Sequence, residues 1–140
     1  MKEEENPEEL AIDINKAIGA TASQISSQLL RLYIPNKDRN SKEFGTQRKW
    51  VLEAANLLAE IGGGCTIMPP VEGIWLDENK VAVWENPVII YTYVNVEKFV
   101  EKLPELRKFL HSLGRETNQG EIVFEFDGQF FRIVEYDDEV

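Results

Sequence analysis

Apolar residues recur along this chain with two different periods, and the switches between them divide it into elements. Between residues 8 and 25, Leu10, Ala11, Ile14, Ala17, Ile18, Ala22 and Ile25 fall at the spacings of an amphipathic helix. Leu29 to Ile34 reads as a first strand, and Pro35 with Asn36 ends its hydrogen-bond ladder. Thr46 stands where an N-cap would precede Trp50, Val51, Ala54, Leu57, Leu58 and Ile61, which follow the 3.6-residue period of a second helix. Gly62, Gly63 and Gly64 then stop it. They follow a helix, and no Gly-Lys-Ser/Thr comes after them, so they read as a C-cap and not as a phosphate loop.

Strand character resumes from Cys65 to Met68, is interrupted by Pro69 and Pro70, and returns at Ile74 to Leu76 before the polar turn Asp77-Glu78-Asn79-Lys80. A prolonged strand is expected from Val81 to Val94, bent at Glu85-Asn86-Pro87 because proline cannot donate to a ladder. Asn95 can cap a helical region with Phe99, Val100, Leu103, Leu106, Leu110 and Leu113 inward. Pro104 should kink it or start a second helix, and Gly114 should end it. In EIVFEFDGQFFRIVE, Asp127-Gly128 supplies a two-residue primed turn that pairs Phe126 with Gln129, Phe124 with Phe131 and Ile122 with Ile133. Those residues share the face expected to bury against helices, while Glu125 and Arg132 share the other.

Without the N-terminal helix the order is β-α-β-β-α-β-β, the split βαβ pattern of a ferredoxin-like α+β sandwich with one strand appended. Right-handed crossovers bring residues 35–46, 77–80 and 114–120 to one edge and set KDR beside RETNQ. That edge gathers Lys37, Asp38, Arg39, Arg115, Glu116, Asn118 and Gln119, a candidate site for a polar or anionic ligand. Lys and Arg would contact the anion, the amides would donate and accept, and the carboxylates would orient the cations. The structural alternative is surface ion pairs and turn chemistry.

The net charge of −10 sits mostly at the ends. Residues 1–9 carry one Lys and five Glu, residues 135–140 carry four acids, and the body between them is only −2. Both acidic ends, 1–8 and 136–140, should fray from a single domain spanning 1–140. Lys37, Arg39, Lys42, Arg48 and Lys49 against Asp38 and Glu43 make residues 36–49 the main basic patch. Fifteen basic against 25 acidic residues argue against a nucleic-acid backbone as partner. No stretch approaches a membrane span, and the acidic start is the opposite of a signal peptide, so the cytoplasm is the expected compartment. One Cys and one His leave no zinc set and no internal disulfide, and no cofactor motif stands out.

Glu85 is the acid of most interest, since Trp84, Asn86 and Pro87 flank it, and facing inward it would have a raised pKa. His111 fits a helix end and Cys65 a buried strand position, and neither has a partner spaced like a nucleophile motif. No catalytic residue is assigned. Trp75, Trp84, Tyr91 and Tyr93 could form an association surface on the open sheet face, giving a homodimer. The stretches YIPNKDRNSKEF, RKWVLEAANLLAEIGGG, GIWLDENKVAVWE and RETNQGEIVFEF resemble a small group of uncharacterised bacterial proteins. The resemblance implies a bacterial, soluble α+β protein with no assigned reaction and transfers no site residue. The resulting expectation is a self-associating binding or regulatory module, with a cofactor-free enzyme acting on a small polar or anionic substrate, using Glu85 or Glu116 as base, as the alternative.

Overall fold

The computed structural model describes residues 12–21 and 28–138. Its elements are α1 (Ile14–Ile18), β1 (Leu29–Ile34), α2 (Gln47–Gly62), β2 (Thr66–Ile67), β3 (Gly73–Leu76), β4 (Ala82–Glu85), β5 (Val88–Tyr93), α3 (Val96–Glu116), β6 (Ile122–Phe126) and β7 (Gln129–Ile133). Five strands form one sheet in the order β2-β5-β1-β6-β7, antiparallel at every pairing, and β3 with β4 forms a separate two-stranded sheet. This is the α+β arrangement that the split pattern calls for, with β7 appended beside β6.

Strict alternation in β1 creates two unlike sheet faces. Leu30, Leu32 and Ile34 are fully buried against the helices, and their cross-strand partners are Thr92, Ile90 and Val88 in β5. Helix α2 adds Trp50, Val51, Ala54, Leu58 and Ile61 to this core, and α3 adds Leu106, Leu110 and Leu113. Arg31, Tyr33 and Glu125 therefore lie on the other, helix-free face. The Asp127-Gly128 turn has positive φ at both residues, 51° and 80°, and the β6–β7 register matches the expected pairing at all three positions.

Several sequence expectations are corrected. The long strand from 81 to 94 is two strands in different sheets. Pro87 has no N–H, and the Asn86 N–H donates to the Asn36 side chain at 2.8 Å instead of to a ladder, so β4 leaves the main sheet. Pro104 neither ends nor restarts a helix: α3 runs through it to Glu116, because Val100, whose carbonyl loses its partner, lies on the exposed side where water can take it. Gly114 is not a stop but a contact, since a Cβ there would overlap the Tyr136 ring. Thr46 makes no side-chain cap bond, whereas Asn95 accepts from Lys98 N at 3.3 Å.

The triple glycine does close α2. Gly63 takes the left-handed conformation, φ 84°, and donates to Ala59 O at 2.8 Å. Gly62 has a second job, for a Cβ there would overlap Thr92 Oγ1 and sit 2.6 Å from Tyr93 O, so the helix end can lie directly on β5. Of the N-terminal helix, the described part is the five-residue α1, capped by Asp13 and ended by left-handed Gly19. Leu10, Ala11, Ala22 and Ile25 lie outside the described residues, as does the acidic stretch 1–8. At the other end, Arg107 makes a two-point ion pair with Asp137 at 2.8 and 2.9 Å, and Asp137 N donates to His111 Nδ1 at 2.8 Å, while Glu139 and Val140 lie outside the described residues. No helix among the described residues is long and apolar enough to cross a membrane.

Candidate functional site

The β3–β4 hairpin needs an anchor, because it shares no ladder with the main sheet. Gln47 Nε2 supplies one, donating to Ile34 O at 3.1 Å and to Asn86 O at 2.9 Å and so tying the end of β1 to the hairpin base. Lys37 supplies another through Nζ, which donates to Trp84 O at 2.7 Å. Held this way, the hairpin stands over the end of the sheet's helix-free face. A cleft of about 300 Å³ lies between them, at the low end of the range for small-molecule sites.

Its walls come from three segments. Tyr33, beside Val123, lines it from the helix-free sheet face; Trp75, Val83 and Glu85 come from alternate, same-face positions of the hairpin; and Lys37, Asp38, Arg39 and Gln119 close the edge. The hairpin turn contributes Asp77 to the same lining. Thus the KDR and TNQ segments do meet, as the topology requires. Arg39 N donates to Asn118 O at 2.9 Å, Arg39 Nη2 to Gln119 O at 2.8 Å, and Gln119 Nε2 to Lys37 O at 2.8 Å.

The charged knot proves to be largely construction. Asp38 Oδ1 accepts from Asn40 N and Lys42 N, at 2.8 and 3.1 Å, and shapes its own turn. Gln119, only 7% exposed, spends its amide on the carbonyls of Lys37 and Thr117. Its own carbonyl accepts from both Arg39 and Tyr136, the latter through a 3.0 Å bond from the phenol. Arg115 and Glu116 belong elsewhere. They line a different depression with Arg107, His111 and Asp137, and Arg115 Nη1 donates to Asp137 O at 2.6 Å. Asn118 adopts positive φ, 52°, and meets Arg39 through its backbone carbonyl.

Glu85 is half-buried in the cleft wall, and burial pushes its carboxyl above the ordinary range, partly offset by a hydrogen bond from the Trp75 side chain and by the charge of Lys37. Tyr33 is raised too, first by burial and then by the Glu125 carboxylate to which its hydroxyl donates. Glu125 also takes Arg31 Nη1 at 3.0 Å, so Tyr33 is held from behind by a fixed ion pair. Four carboxylates, those of Asp38, Asp77, Glu85 and Glu121, line the cleft against two cations, Lys37 and Arg39, both already donating to backbone carbonyls. Among the described residues no cluster of three metal-ligating side chains occurs.

Sequence reasoning gave Tyr33 and Glu121 no role and placed Trp75 on an association surface. The alternation of β1 was the available signal for Tyr33, because a tyrosine opposite three buried aliphatic residues must face away from the helices. Trp75 was legible only as an aromatic of unknown facing. Its assignment to the cleft depends on the hairpin leaving the sheet, which the sequence marks only as a bend at Pro87.

No protein-family model matches the sequence, and no curated protein does. Two solved structures share the fold. A phage SAM lyase in complex with S-methyl-5′-thioadenosine is 14% identical, with a TM-score of 0.54 over 77% of this chain and 89% of that one. A phage SAM lyase in the apo state is 15% identical, with a TM-score of 0.55 over 81% of this chain and 94% of that one. At such identity the likeness is one of fold alone.

Proposed function

We propose that the cleft binds a small organic cation carrying an aromatic ring, and that the protein is an enzyme cleaving a carbon–sulfur bond of a sulfonium nucleoside such as S-adenosylmethionine. The observation that carries this reading is the convergence of Trp75, Tyr33 and Glu85 on one cleft. Indole and phenol faces attract organic cations and stack on planar bases, and a half-buried carboxylate adds charge complementarity at low local dielectric. The fold shared with a phage SAM lyase supports this substrate class, without transferring any residue.

The chemistry suits a site built only of side chains. A sulfonium carries its own leaving group: when the bond breaks, its electron pair goes to sulfur, which becomes a neutral thioether. In a lyase the carbon is satisfied from within the substrate, so neither water nor a second reactant is consumed. Loss of the positive charge also weakens the hold of Glu85 and the two rings, which favours product release. Self-association through exposed Trp84 and Tyr93 is part of the same proposal, and light scattering on the purified chain reads it directly.

The decisive experiment incubates the full chain with S-adenosylmethionine and separates the products chromatographically. Release of S-methyl-5′-thioadenosine, lost in Glu85→Gln and Trp75→Ala variants that still fold and melt cooperatively, is the expected result. Binding by calorimetry without product would leave a binding module, the alternative function. Neither binding nor turnover at millimolar substrate overturns the proposal.

A further inference from the structure

The helix-bearing side of the sheet is incompletely covered. Between α3 and the β6–β7 hairpin runs an apolar groove of about 470 Å³, lined by Phe99, Leu103, Phe124, Phe126, Phe131 and Ile133. Leu103 is 42% and Phe131 38% exposed. Val96 and Val100 continue the same exposed stripe along α3, at spacings of four and three from one another and from Leu103. Such a surface is shaped to take the apolar side of a helix.

A helix of that kind exists in the same chain. In α1 none of the five residues is buried, and Ile14 and Ile18, one turn apart, are 64% and 73% exposed. Ile12 is equally bare. Two unpartnered apolar surfaces on one molecule are complementary in kind.

They are also within reach. Residues 19–27 separate α1 from Gln28, and the ten steps from Ile18 to Gln28 span at most about 36 Å. The mouth of the groove is where β1 begins: Asp127 N donates to Leu29 O at 3.0 Å, Leu30 pairs with Phe126, and Phe126 stacks on Phe99 with ring centroids 4.5 Å apart. From there, α3 covers only about 10 Å between Phe99 and Leu106.

We infer that α1 docks in cis into the groove between α3 and the β6–β7 hairpin, seating Ile14 and Ile18 against Leu103 and Phe131. The groove and the cleft lie on opposite faces of the sheet, so this contact completes the core without obstructing the cleft. It also removes from the surface a patch that would otherwise promote association.

The test places cysteines at Ile18 and Leu103 in a Cys65→Ser background of the full chain and oxidises it at protein concentrations differing about tenfold. A disulfide within the monomer, with a yield independent of concentration and several-fold above that of an Ile18/Leu52 cysteine pair, is the expected result. Leu52 is exposed on the outer side of α2 and serves as the control. Linkage only between two chains would mean that a second copy fills the groove, and equal yields for the two pairs would mean that α1 has no seat; either overturns the inference. In the unmodified chain, nuclear Overhauser contacts between the Ile14 or Ile18 methyls and the Phe131 ring are expected, and their absence would count equally against it.

Discussion

Gly114→Ala provides a test in which helix propensity and tertiary packing act in opposite directions. In an exposed helix interior the change would stabilise the protein by about 0.8–1.0 kcal/mol, because alanine loses less backbone entropy than glycine. Here the new methyl would occupy the space of the Tyr136 ring, and the ring must leave. Leaving breaks the 3.0 Å bond from Tyr136 to Gln119 O, about 1 kcal/mol net, and exposes a half-buried aromatic side chain, about another 1 kcal/mol. The balance is a loss of about 1 kcal/mol, or about 2–4 °C in Tm at this size. Tyr136→Ala alone should cost about 2 kcal/mol by the same terms. The sign then reverses: in the Tyr136→Ala background, Gly114→Ala should raise the melting temperature, since only the propensity gain remains. A double-mutant cycle read by circular dichroism should show a coupling of about 2 kcal/mol. A stabilising Gly114→Ala in the wild-type chain, or additive effects, would refute the packing argument.

Three further outcomes follow from the same geometry. Because burial raises the native Glu85 pKa, the folded state holds its proton more tightly than the unfolded chain, so stability falls as pH rises from about 4.3, the unperturbed value, through the native value. Glu85→Gln should therefore raise Tm at pH 7 and leave it nearly unchanged at pH 4, and an equal shift at both would contradict the assignment. Gly62→Ala, which drives a methyl into Thr92 and the Tyr93 carbonyl, should lower stability in urea by about 1–3 kcal/mol, and an unchanged midpoint would show that the helix end is not packed as described. Gln119→Leu strips the amide donor from the Lys37 and Thr117 carbonyls and should cost about 1–3 kcal/mol in the same assay, with a neutral result placing that network in water.

How far the sequence could be read depended on the range of the interaction involved. The β6–β7 register was legible to the residue, because Asp127-Gly128 is a local signal and the flanking alternation leaves one pairing that buries Ile122, Phe124 and Ile133 together. The sheet topology was legible because few chain paths satisfy right-handed crossovers. What failed was tertiary override of local punctuation. Pro104 read as a kink or a second helix start and Gly114 as a stop, yet α3 is one helix through the first, and the second is small to admit a ring from 22 residues further on. The detachment of β3–β4 was visible only as a bend at Pro87, and with it went the facing of Trp75 and Glu85, on which the cleft depends.

The same distinction bears on the sign of the ligand. Read locally, Lys37 and Arg39 are two cations beside an amide-rich loop, the ordinary furniture of an anion site. In place, each donates to a backbone carbonyl: Lys37 to Trp84 O in the detached hairpin, Arg39 to Gln119 O between α3 and β6. Their charge is used to join three chain segments, and an anion would have to compete with those carbonyls for the same protons. Glu85 stands differently. It is raised by burial on the lining itself, beside a tryptophan 40% exposed, and a cationic ligand would repay that desolvation where an anionic one would deepen it. On the proposed function, the edge that topology singled out is therefore the frame of the site, and the groups offered to a ligand come from the hairpin and the helix-free face above it.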